Sequence, residues 1–179
     1  MATRPPTRAS ACSTSNVHTG ALVRSVALNG GAVGLVADTA RGHVFVATER
    51  RDRQGNDVGP GEVSMVAARD GRLLHSVVVG DNPSALAIDA RTARVFVASL
   101  GRITGYGDYF VSHARGRLAV LDARCGQIRY VVPVGVAPGD IAVDQRAGRA
   151  FVLNRGGPLQ DQVGTRAIPG SVTVIDATR

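Results

Sequence analysis

The segment from Gly101 to Gly116 gathers the side chains best suited to hold a ligand. Tyr106, Tyr109 and Phe110, three of the chain's seven aromatic residues, stand beside Asp108 and His113, with Arg102 and Arg115 toward the ends. Aromatic faces stack on a base, a sugar or a planar side chain, while an acid, an imidazole and a guanidinium orient what is stacked. The same rings would serve equally well to pin the segment down by packing on the scaffold beneath it. Arg102, Tyr106, Asp108, Tyr109, Phe110 and His113 are the candidate ligand-binding residues. No nucleophile, base and orienting partner can be assembled around them, so no catalytic residue is assigned.

Other chemistry-bearing residues read as structural. Asp38, Asp89 and Asp144 each precede a turn rich in Arg, Thr and Gly, where an aspartate bonds the backbone amides two residues on. His18, His43, His75 and His113 fall in non-equivalent places. Cys12 and Cys125 are far apart, and there is no CxxC, HExxH or calcium-loop spacing. Neither a disulfide framework nor a metal or other cofactor is expected.

All 21 basic residues are arginine and the formal net charge is +7. Absence of lysine beside abundant Ala, Gly and Val is the mark of GC-rich coding rather than of selection for binding. Arg41, His43, Arg91, Arg94, Arg146 and Arg149 nevertheless cluster in equivalent turns, where a basic ring would attract an anionic polymer. Solvated turns are the expectation, with nucleic-acid binding the less favoured alternative.

The elements that must position these residues follow from a repeat. Gly20, Gly71 and Gly126 precede Asp38, Asp89 and Asp144 by 18 residues, and Phe45, Phe96 and Phe151 follow those aspartates by 7. Each unit reads as four strands. The first runs through Gly34 to Ala37, Ala85 to Ile88 and Ile141 to Val143, and should be innermost. The second is Val44 to Thr48, Val95 to Ser99 and Ala150 to Asn154, dense in β-branched residues, with a phenylalanine placed to wedge between neighbouring units. A third follows at Val63 to Val66, Leu118 to Leu121 and Val172 to Ile175. The fourth, at Leu22 to Leu28, Leu73 to Val79 and Ile128 to Val134, contains Pro133 and so belongs on an outer edge. Short strands recurring about every 50 residues predict an all-β fold, a β-propeller of about three four-stranded blades.

VFVAT, VFVAS and AFVLN, the aspartates before them, and the phrases VLDARCG and VIDATR resemble the YVTN-type β-propeller repeat over residues 17 to 179. The resemblance implies a fold more than an activity, since propellers of this kind include surface-layer proteins, nucleic-acid binders, lactonases and electron-transfer enzyme subunits. Such relatives are often exported. Residues 1 to 16 carry no apolar core and read as a disordered tail rather than a secretory signal. No apolar run approaches a membrane span.

Three blades do not close a ring. The chain is therefore expected to be part of a longer propeller, or one half of a six-bladed homodimer. The connections from second to third strand, Glu49 to Gly61, Leu100 to Gly116 and Arg155 to Gly170, are long and share one face, where a rigid scaffold usually carries its binding groups. A non-enzymatic binding or scaffold propeller is the expected function, engaging a protein or small-molecule ligand through those loops. A fragment of a lactonase-type or quinoprotein-associated propeller enzyme is the alternative.

Overall fold

The computed structural model describes residues 10–15, 22–52, 59–106, 109–161 and 163–177. Among the described residues the regular elements are seventeen strands, with no helix. The first blade is β3 (Gly31–Asp38), β4 (His43–Glu49), β5 (Gly61–Ala67) and β6 (Leu73–Gly80), joined in sequence order as an antiparallel sheet. The second is β7 (Pro83–Asp89), β8 (Arg94–Ser99), β11 (Arg117–Asp122) and β12 (Ile128–Pro133). The third has three strands, β13 (Pro138–Asp144), β14 (Arg149–Asn154) and β17 (Ser171–Asp176). Pro133 ends β12 at the free edge of its blade, where a missing N–H breaks no ladder.

The repeated landmarks each have a local cause. Asp89 Oδ1 accepts the backbone N–H groups of Arg91 and Thr92 at 3.0 and 3.1 Å, and Asp144 Oδ1 accepts those of Arg146 and Ala147, both at 2.9 Å. Asp38 takes the N–H of Arg41 at 3.2 Å and pairs with the Arg41 guanidinium at 2.9 Å. These carboxylates cap turns, as their position requires. Four residues after each aspartate the backbone is left-handed, at Gly42 (φ 66°), Ala93 (φ 55°) and Gly148 (φ 62°). The carbonyl of each then accepts the N–H of Ala68, Ala123 or Ala177 at 2.7 to 2.9 Å, tying the two turns of a blade together.

The core lies between blades. Phe45, Ala47, Val63 and Met65 of the first blade pack with Val95, Val97, Ala119 and Leu121 of the second. Phe96, Ala98, Leu118 and Val120 of the second pack with Ile141, Ala150 and Val152 of the third. Phe45 and Phe96 are wholly buried, so the expected wedge is borne out, while Phe151, with no described blade beyond it, is partly exposed.

One sequence expectation needs correction. Composition reads residues 1 to 16 as a disordered tail, whereas Ser10–Ser15 forms β1, paired antiparallel with β2 (Leu22–Leu28). Its register is that of a third strand on a fourth: Ser15 faces Leu22 as Val66 faces Leu73 and Leu121 faces Ile128. Each has the same irregularity one residue earlier, between Thr14 and Ser15, Met65 and Val66, and Val120 and Leu121. The repeat thus begins before the first Gly landmark. Ser, Cys and Thr occupy positions where the later blades carry Val, Met and Leu, which hides it from a hydrophobic pattern.

Candidate functional site

The two later long loops are not irregular. Leu100 to Gly116 folds into a hairpin of β9 (Ile103–Tyr106) and β10 (Tyr109–Ser112), and Arg155 to Gly170 into β15 (Gly157–Asp161) and β16 (Gly164–Ile168). The hairpins join across the boundary between the second and third blades. β10 runs parallel to β15, with Ser112 opposite Leu159, giving one four-stranded sheet in the order β16-β15-β10-β9.

This sheet has its own apolar footing. Leu159 is buried against Val136 and Ala137 in the turn entering the third blade, and Phe110, Ile168 and Leu100 pack around them. The loop root is also fixed. Asn82, at φ 53° in the turn before β7, donates from Nδ2 to the Gly101 carbonyl at 3.0 Å, and its own carbonyl accepts the Leu100 N–H at 2.9 Å. The β15–β16 turn is held by Asp161, whose carboxylate accepts the Val163 N–H at 2.9 Å and the Arg166 guanidinium at 2.8 Å. The sheet therefore belongs to the scaffold, and the blades below it set its orientation.

Within it, the candidate residues separate. The Phe110 ring packs in the apolar footing, which is a structural role. His113 is engaged inside its hairpin, with Nε2 2.9 Å from Thr104 Oγ1 and its backbone N–H donating to the Arg102 carbonyl at 2.9 Å. The guanidiniums of Arg102 and Arg115 are exposed, and no hydrogen bond or ion pair is found for either among the described residues. Tyr106 and Tyr109 face each other in register at the hairpin end. Their side chains, and the whole of Asp108, lie outside the described part of the structure. Sequence reasoning missed Leu159, Ser112 and Thr104. The available signal was Leu159 and Ile168, apolar residues in a stretch whose Gln160, Asp161, Gln162 and Arg166 read as polar rim.

On the opposite face the turn arginines work between blades. Arg41 donates to the Ala90 carbonyl at 3.3 Å, and Arg91 to the Gln145 carbonyl at 2.8 Å. His43 Nδ1 donates to the Ala123 carbonyl at 3.1 Å, and Arg94, in the corresponding place, is buried. Arg146 and Arg149 of the third blade are exposed. Among the described residues no three of His, Cys, Asp and Glu converge as metal ligands, and no helix is long and apolar enough to cross a membrane.

Among solved structures the chain is similar to propellers. It matches the dihydro-heme d1 dehydrogenase NirN in complex with DHE at TM-score 0.60 and 14% identity, covering 93% of this chain and 30% of that one. The Dos1 propeller gives TM-score 0.60 at 11% identity over 96% of this chain and 42% of that one. The WD40 domain of Toxoplasma gondii coronin gives 0.56 at 15% identity over 87% and 38%. At such identities the likeness establishes the fold, a β-propeller, and the chain spans less than half the length of each of these structures. Neither a protein-family model nor a curated protein sequence matches it.

Proposed function

We propose that this propeller segment is a non-enzymatic binding module of YVTN type, engaging a protein or small-molecule ligand with the four-stranded loop sheet on one face. The observation that carries this reading is the joining of β10 to β15. Two loops from different blades, each free to differ, are combined into one surface with an apolar underside. Preorganisation of this kind lowers the ordering cost of binding. The exposed Arg102 and Arg115 flank the β9–β10 hairpin, and Tyr106 and Tyr109 sit at its tip.

The test is a biosensor screen of the purified chain against immobilised peptides, oligosaccharides and single-stranded oligonucleotides. It is repeated with the double variant Arg102→Ala and Arg115→Ala. A ligand retained by the wild type and lost by the variant, at unchanged circular dichroism, supports the proposal. Retention that depends instead on Arg146 and Arg149, or turnover in a lactone-hydrolysis screen, overturns it in favour of a nucleic-acid-binding face or an enzyme.

A further inference from the structure

The loop sheet has two unlike faces. Alternation along its strands sends Ser112, Leu159 and Ile168 down toward the footing, and all three are buried or half-buried. The upper rows are exposed, with Thr104 on β9, Pro158 and Gln160 on β15, and Thr165 and Ala167 on β16. Basic groups gather at one end of this upper face. The β9–β10 ladder runs one step past the strands, where the His113 N–H donates to the Arg102 carbonyl at 2.9 Å, so Arg102 and His113 are cross-strand neighbours in an upper row. The bond between Thr104 Oγ1 and His113 Nε2, at 2.9 Å, fixes the imidazole on that same face. Arg115 follows two residues after His113, on a backbone that passes beside Gly101: a Cβ at position 101 would stand 3.5 Å from the Arg115 carbonyl oxygen. Both arginines are exposed, and neither makes a hydrogen bond or ion pair among the described residues. The nearest described acids are otherwise engaged or turned away. Asp161 belongs to the lower row with Leu159 and is taken by Arg166 at 2.8 Å. Asp81, in the turn under the hairpin root, gives its carbonyl to the Gly101 N–H at 3.1 Å but pairs with neither arginine.

We propose that this end of the upper face binds an acidic peptide segment, whose carboxylates pair with Arg102 and Arg115 around His113. The inference rests on the loop sheet being the binding surface. Charge complementarity selects the occupant. Two unpaired guanidiniums on neighbouring backbones repel until an anion lies between them, and a guanidinium fork takes a carboxylate through two parallel hydrogen bonds. A nucleic acid draws its affinity from a track of many phosphate contacts, whereas the basic groups at this end are Arg102, His113 and Arg115. An open sheet face also suits an extended chain better than a small molecule, which needs a concave site. Exposed arginines of this kind set which partner is chosen and how fast it is met, more than how tightly it is held.

The experiment is fluorescence anisotropy with the full chain and a labelled peptide of alternating Glu and Ser, beside the same peptide with Gln for Glu. The wild type should bind the acidic peptide, less tightly as salt is raised, and should not bind the neutral one. Arg102→Gln and Arg115→Gln should each weaken binding roughly fivefold, the scale of one exposed charge pair. Arg166→Gln is the control, because it removes the same charge from the lower row and should leave binding unchanged. All three positions are exposed, so circular dichroism should not change. Absence of binding to the acidic peptide overturns the proposal. So does equal weakening by all three variants, the signature of attraction to net charge alone. Tighter binding of a single-stranded oligonucleotide or a sulfated polysaccharide through the same two arginines overturns it in favour of a phosphate or sulfate polymer. A neutral ligand held by the loop sheet and lost with Arg102 and Arg115 would keep the binding surface and sink this occupant alone.

Discussion

Gly116 lies so close beneath Pro138 of the following blade that a Cβ at position 116 would stand 2.5 Å from the proline Cδ. Gly61 has the same relation to Pro83, also at 2.5 Å. Gly170, at the corresponding place in the third blade, would meet nothing nearer than the Arg155 carbonyl oxygen at 3.2 Å. These glycines are small because a neighbouring blade's turn rests on them. Gly116→Ala should cost about 1–3 kcal/mol by overpacking, and Gly170→Ala much less. Urea midpoints for the two variants give the comparison, and equal losses would mean that the blade boundary is drawn wrongly.

Phe96 is completely buried between the second and third blades, and Phe110 is partly buried under the loop sheet. Phe96→Ala should therefore cost roughly 3–5 kcal/mol of global stability. Phe110→Ala should cost less than half as much and act locally. Hydrogen exchange is expected to speed up in residues 109–112 and 157–161 before the blades respond. A Phe110 effect as large and as global as that of Phe96 would contradict the separate footing.

Ser112 is fully buried, and among the described residues its hydroxyl finds no hydrogen-bond partner. A buried polar group without a partner costs roughly 1–3 kcal/mol. Ser112→Ala should accordingly be neutral or stabilising in thermal unfolding, with the β10–β15 pairing retained. A clear loss of stability would reveal a bond that the hydroxyl makes.

Asp122 titrates below the ordinary carboxylate range. Burial, the largest single influence, raises its pKa, but the Arg124 N–H at 2.8 Å and the guanidiniums of Arg129 and Arg124 together outweigh it. Because the folded pKa lies below the unfolded value near about 3.9, the contribution is fully present above that value and is lost as pH falls through the folded pKa. Asp122→Asn should lower stability at pH 6, and the gap to wild type should narrow by pH 2 to 3. Urea titrations at the two pH values decide it. A gap that widens in acid would refute the assignment.

Much of the scaffold was legible because its constraints are local. An aspartate that caps a turn, a glycine that a turn needs and a phenylalanine wholly buried at a blade boundary must each recur where the backbone recurs. β1 was not legible, because Ser10, Cys12, Ser13, Thr14 and Ser15 keep the register without the apolar pattern. The loop sheet was legible only as a place. Its aromatic segment stood out in composition, but the bond between β10 and β15 joins residues of different blades, and spacing within one unit carries no trace of such a partner.

The left-handed alanine at position 93 separates the middle unit from the other two, where glycine fills that position. A left-handed non-glycine residue costs about 1–2 kcal/mol. The unit that bears this strain is covered on both sides: Phe96 is wholly buried against the third blade, and Val95 and Val97 against the first. Its shape is held by what lies on either side of it as much as by its own sequence.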